Sequence, residues 1–238
     1  MPILDRKYAD DFPGNWFGYT ERYMTELAES PVLANLLPGQ YRVTDGKIFL
    51  AKDLPPLHLN HQAIYETVLN LHPCSIMEVG CGAGDHLANL HQLLPSAEIY
   101  GCDLLETQLD VLGQRHPGLR DNVFVHDVVV AVPPQQAELV YTQAVLMHLG
   151  SGRLLAALWH TFAAATKYVI MMENWQCHDF YQNLQALATM RCFPWDSLHC
   201  YISTITAQDL LVCSRESLTG SYKELHSDRQ LRRRFRDG

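Results

Sequence analysis

Between Asn60 and Asn174 short apolar runs alternate with segments of helical period: "SIMEVG", "AEIYGCD", "NVFVHD", "ELVYTQ" and "KYVIMMEN", separated mostly by stretches such as "DHLANLHQLL" and "LETQLDVLGQRHP". In the second kind, Leu87, Leu90 and Leu94, then Leu105, Leu109 and Leu112, fall on one helical face. Strands alternating with helices of this length predict βαβ crossovers and a parallel sheet covered on both sides. The first helix of the series, "NHQAIYETVLNLHP", is expected to be capped by Asn60 and stopped by Pro73. After "SGRLLAALWHTFAAAT" and "HDFYQNLQALATM", the runs "HCYISTIT" and "DLLVCSRE" lie too close together for a crossover and are expected to pair antiparallel.

Before Asn60 the pattern changes. "ESPVLANLLPG" predicts a short helix capped by Ser30 with Pro31 at its first position and Gly39 beyond its end. "YRVTDGKIFL" predicts a hairpin about Asp45-Gly46. The aromatics Trp16, Phe17, Tyr19 and Tyr23 are expected on a helix that closes over the site or packs in the core of a cap. The expected division is a cap at 1–59, a main domain at 60–218 and a basic tail at 219–238.

With 238 residues, 47% of them hydrophobic, the chain can bury one substantial core. No window reads as a signal peptide or a membrane span, so a soluble, cytoplasmic protein is expected. Seven cysteines with no C-x-x-C pair argue against a disulfide framework and against zinc. A net charge of -8 offers no general attraction to nucleic acid; only "RQLRRRFRDG" at the end is basic, and a solvated tail is its first reading.

In a doubly wound sheet, ligands sit beyond the carboxyl ends of the strands. Here those ends carry Glu78 to Gly84, Asp103, Asp127, Tyr141 to Gln143, and Glu173 with Asn174. Gly80, Gly82 and Gly84 alternate, but the dinucleotide fingerprint G-x-G-x-x-G fails at Asp85, and no phosphate-binding Gly-Lys-Ser/Thr run exists. Asp85 also brings negative charge to the helix start, where a pyrophosphate would bind. A ligand with a carboxylate, an ammonium group and a ribose fits better. Glycines admit it close to the backbone, Asp103 can accept from both ribose hydroxyls, and Asp127 can accept from an exocyclic amine.

With "EVGCGAG", Asp103, "HD" at 126–127, "VYTQAVLMHL" and the closing hairpin, residues 60 to 215 resemble the class I S-adenosylmethionine-dependent methyltransferases. The resemblance implies a Rossmann-like, mostly parallel seven-stranded α/β sheet with an antiparallel C-terminal hairpin. It also implies S-adenosylmethionine as cofactor and S-adenosylhomocysteine as product. The implied cofactor residues are Glu78, Gly80, Cys81, Gly82 and Gly84 around the methionine end, Asp103 and Leu104 at the ribose, Asp127 and Val128 at the adenine, and Gln143. Glu78 alternatively only caps the loop, and Asp127 is alternatively a plain turn residue.

Methyl transfer needs a base only when the nucleophile carries a proton that must leave. His148, Glu173 and His178 are the candidates. Some relatives bind a metal through E-V-x-E-H; here Ala144 and Met147 replace both glutamates, and no metal is expected. The expected activity is O-methylation of a small molecule such as a sugar or secondary metabolite, by a protein that is free to form a homodimer. The alternatives are N-methylation of an amine, peptide or nucleic acid, and a non-catalytic binding module.

Overall fold

The Asp45-Gly46 pair turns with both residues at positive φ, 50° and 69°, as a two-residue hairpin requires. It joins β1 (Tyr41–Thr44) to β2 (Lys47–Leu50) in antiparallel register. The computed structural model describes residues 32–227 together with Thr25, Glu29 and Gln230. Trp16, Phe17, Tyr19 and Tyr23, and nearly all of the arginine-rich run, lie outside the described residues.

The hairpin is fastened to α1 (Leu59–Leu71) by Glu66, only 1% exposed. Its carboxylate accepts the Ile48 amide at 3.1 Å and the Gln62 amide group at 2.8 Å, and pairs with Lys47 Nζ at 2.9 Å. Buried charge is tolerated when it is saturated with donors in this way. α1 begins two residues earlier than expected, because His58 rather than Asn60 serves as the cap, its Nδ1 accepting the Asn60 amide at 3.2 Å.

From there the alternation unfolds as the periodicity predicts: β3 (Ser75–Val79), α2 (Asp85–Leu93), β4 (Glu98–Asp103), α3 (Glu106–Arg115), β5 (Val123–Val125), β6 (Ala137–Gln143), α4 (Ser151–Ala164) and β7 (Ala165–Met172). Then follow α5 (Phe180–Ala188), β8 (His199–Ser203), β9 (Leu211–Ser214) and β10 (Tyr222–Glu224). The sheet order is β10-β8-β9-β7-β6-β3-β4-β5. β3 to β7 run parallel, while β9 pairs antiparallel with both β7 and β8. The sheet therefore has eight strands, one more than expected. Tyr222–Glu224, placed in the tail by the sequence, adds an edge strand to β8.

One face of the sheet is covered through Ile64, Val68, Leu87, Leu90, Leu109 and Leu112, the other through Leu154, Leu158, Phe162, Phe180 and Leu184. Each such side chain contributes roughly 1.5–3 kcal/mol by leaving water. The chain leaves β3 toward β4 and β5, then returns to β6 and β7 on the other side, so a crevice opens beyond the end of β3.

The short helix expected near Ser30 is absent over 32–38. Leu33 instead bridges to Leu57, and the buried Asn89 takes up the Leu36 amide at 2.7 Å and donates to the Ala34 carbonyl at 2.8 Å. Tertiary partners satisfy this backbone, which a local capping signal cannot reveal. Among the described residues no helix is long and apolar enough to cross a membrane.

Candidate active site

Beyond β3 the backbone folds back on the end of β4: the amides of Gly80 and Cys81 both donate to the Cys102 carbonyl, at 2.7 and 3.0 Å. Gly80 has φ 79°, and a Cβ there would stand 2.3 Å from Val145 Cγ2. Glycine is thus required for conformation and for space. Gly84, at φ 81°, precedes α2 with Leu112 against it; it supports the loop and lies outside the cavity wall. Around Gly82 there is room, the nearest atom to a Cβ being Gln108 Oε1 at 3.8 Å.

Asp103 ties this loop to the end of β4. One carboxylate oxygen accepts the Gly82 amide and the other the Leu105 amide, both at 2.9 Å. Burial pushes its pKa up, and the amides of Leu105, Gly82 and Leu104 oppose that shift. Lone pairs remain on both oxygens for a ligand.

The crevice is a cavity of about 360 Å³. Glu78, Gly80, Cys81 and Gly82 line one wall; Asp103, Leu104, Asp127 and Val128 line another; Gln143 and His148 also face it. The Gln143 Oε1 atom is buried with no hydrogen-bond partner among the described residues. Asp127 holds the Val129 amide at 2.9 Å, so it shapes its own turn as well as the cavity. A more open groove of about 600 Å³ lies where β6 and β7 begin, but its charges pair with each other: Lys167 with Glu138 at 3.2 Å, Arg215 with Asp196 at 3.7 Å. It is remote from the strand ends that carry the chemistry.

Two of the three proposed proton-handling residues lie elsewhere. Glu173 is 3% exposed and outside the cavity lining. Its carboxylate accepts the amides of Val145 at 3.1 Å and Met147 at 3.0 Å, holding the turn after β6. Burial pushes its pKa up to about 7. His178 is likewise buried outside the lining, edge-on to Phe180 at 5.6 Å. A strand-end position marks a residue as near the site without saying which way it points, and here the backbone amides claim the carboxylate.

His148 does face the cavity, and burial lowers its pKa to about 4, so the ring is neutral at pH 7. Other histidines there escaped notice in the sequence. His58, His61 and His86 line the cavity, with ring centroids 4.9 Å apart for the first pair and 4.3 Å for the second. Burial holds His61 down at about 2 and His86 at about 4. Their signal was the i, i+3 spacing of His58 and His61 at a helix start, together with His86 beside the glycine loop. Among the described residues no group of three or more His, Cys, Asp or Glu side chains is arranged to hold a metal ion.

Asp85, at the start of α2, pairs with Arg115 at 2.5 Å, which compensates its charge locally, and His116 Nε2 lies 3.3 Å from the same carboxylate oxygen. Glu78 is 2% exposed beside the Tyr141 hydroxyl of the adjacent strand. Burial drives its pKa up to about 8, the Tyr141 hydroxyl opposes that shift, and the charges of Asp103 and Asp85 add to it.

A doubly wound sheet with a glycine loop at its switch point and an acid closing the next strand defines a nucleotide-cofactor enzyme fold. Residues 76–168 match the family described as a methyltransferase domain. Among solved structures, the chain is similar to a TehB-like SAM-dependent methyltransferase from Corynebacterium glutamicum, at 14% identity over 87% of this chain and 97% of that one, with a TM-score of 0.54. It is also similar to magnesium protoporphyrin IX methyltransferase from Synechocystis PCC 6803 with bound SAM, at 16% identity over 59% and 69% of the chains and a TM-score of 0.45. A third is the O-methyltransferase of a trans-AT PKS multienzyme from Brevibacillus brevis in complex with S-adenosyl-L-homocysteine, at 16% identity, 43% and 36% coverage and a TM-score of 0.39. The chain thus spans about a third of that last protein. No curated protein matches significantly.

Proposed function

We propose that this protein methylates a hydroxyl group of a small molecule, with S-adenosylmethionine held across the carboxyl ends of β3, β4 and β5. The observation that carries the reading is the stitch between Asp103 and Gly82 at the floor of the cavity. It joins an acid suited to a ribose diol to a backbone that a ligand can approach closely. The remaining wall fits the cofactor too: Asp103 and Asp127 supply negative charge facing a group that carries a sulfonium and an ammonium, and Glu78 supplies a buried carboxyl that an ammonium would draw into its ionised form. Glu78 would receive the ammonium, Asp103 the ribose, and Asp127 with the Val128 backbone the adenine.

When bound, the cofactor supplies an electrophilic methyl group. The chain's own contribution is alignment and a proton acceptor. His148 is neutral and lines the cavity, so it can take the hydroxyl proton. Its low basicity suffices, because an alcohol oxygen becomes strongly acidic as it gains a methyl group. The imidazole rings of His61 and His86, kept neutral by burial, give the cavity a face suited to an uncharged acceptor.

Calorimetric titration with S-adenosylhomocysteine tests the cofactor half. Micromolar binding by the wild type and none by Asp103→Ala is expected; equal binding by both would remove the ribose assignment. The acceptor half is tested by mass spectrometry of hydroxyl and amine panels with S-adenosylmethionine. A methyl gain confined to amines would replace O-methylation with N-methylation.

A further inference from the structure

Gln108 sits on the buried face of α3 among Leu105, Leu109 and Leu112, is 1% exposed, and lines the cavity. Neither end of its side-chain amide has a hydrogen-bond partner among the described residues. Desolvating an amide at both ends is costly, and buried polar atoms left in this state call for an explanation. The neighbourhood supplies one. Gln108 Oε1 lies 3.8 Å from the point where a Cβ on Gly82 would stand, and the Gly82 amide is bound by Asp103. Gln108 and Asp103 therefore flank the same stretch of loop, and the Leu105 amide that Asp103 also holds is one turn before Gln108 on the same helix.

We propose that Gln108 is a second ribose-binding residue, taking one hydroxyl of the diol beside Asp103; this rests on the cofactor reading above. The chemistry of the orphaned pair selects the partner. A carboxylate would satisfy only Nε2, and an ammonium would satisfy only Oε1. A hydroxyl both donates and accepts, so a vicinal diol can satisfy both ends and share its remaining capacity with Asp103. Asp103 alone recognises two donors; the added donor of Gln108 fixes the orientation of the diol. A diol that meets both ends of the amide removes the cost of burying them unpaired.

The test is Gln108→Leu, with Gln108→Met as a second apolar replacement. Each is titrated with S-adenosylhomocysteine and with 5′-methylthioadenosine, which carries the ribose and adenine without the amino-acid end. Thermal unfolding is followed without ligand. The expected result is a loss of about tenfold or more in affinity for both ligands by the same factor, with an unchanged or raised melting temperature. A loss confined to S-adenosylhomocysteine would move the contact to the amino-acid end and overturn the ribose assignment. Undiminished affinity in both variants would overturn any ligand role for Gln108. Failure of the wild type to bind either compound would overturn the cofactor reading itself, and the proposal with it.

Discussion

The carboxylate of Glu173, just past the end of β7, accepts the backbone amide of Val145, just past the end of β6, at 3.1 Å. It reaches the Met147 amide at 3.0 Å as well, and Ala144 immediately before is held at φ 52°, a left-handed conformation that costs a non-glycine residue about 1–2 kcal/mol. The turn that carries His148 is therefore strained at one end and clamped at the other. Glu173→Ala strands two partly buried amides and is expected to lower unfolding free energy by about 1–3 kcal/mol in urea titration. Glu173→Gln keeps an acceptor and should lose less. Equal, negligible losses in both would show that the clamp does not hold the turn.

Gly80 makes a sharper prediction, because two separate penalties meet there. Gly80→Ala incurs the positive φ of 79° and a clash with Val145. The expected destabilisation is about 2–4 kcal/mol. Val145→Ala in the same chain removes the clash and leaves the backbone strain. The double variant should thus recover part of the loss caused by Gly80→Ala, a coupling readable in a double-mutant cycle. Simple additivity would show that Val145 moves aside freely.

His148 separates chemistry from binding. His148→Asn is expected to leave the affinity for S-adenosylhomocysteine within about threefold while lowering kcat on the identified hydroxyl acceptor by about 10²–10⁴. A fall in cofactor affinity with kcat intact would instead give His148 a cofactor role.

These sites differ in how far the sequence exposes them. The alternation of strands and helices, the glycine loop and Asp103 were legible, because period and spacing are local properties that β3, α2 and β4 express directly. The direction of a side chain is not local. Glu173 stands at the end of a strand, where a catalytic base is expected, yet it turns to the amides of Val145 and Met147, residues brought close only by the pairing of β6 with β7. Gln108 carried a signal that went unread: a polar residue at an apolar phase of α3, between Leu105 and Leu112. The segment at Leu33 mimicked a capped helix, and its true partners, Leu57 and Asn89, lie far along the chain. The same applies to β10, which is too short to show periodicity and exists as an edge on β8.

With the cofactor ammonium placed at Glu78 as proposed above, cofactor binding becomes linked to pH. The pKa of Glu78 rises from the ordinary 4.5 to about 8 because burial disfavours the charged carboxylate. The folded protein thus holds a proton that the unfolded chain has already lost, so this group's contribution to stability is full below about pH 4.5 and falls as pH climbs to about 8, where it levels off. The total swing is on the order of a few kcal/mol. Glu173, with a pKa raised to about 7, adds a second contribution of the same sign over a narrower window. Glu78→Gln cannot ionise, so the decline between pH 7 and 8 should largely disappear from its unfolding curves. Binding reverses the balance, since a cofactor ammonium favours the ionised carboxylate. S-adenosylhomocysteine should therefore bind more tightly at pH 8 than at pH 6 and release a proton, which titrations in buffers of different ionisation enthalpy detect. Affinity that is flat with pH, and no proton release, would place the ammonium away from Glu78.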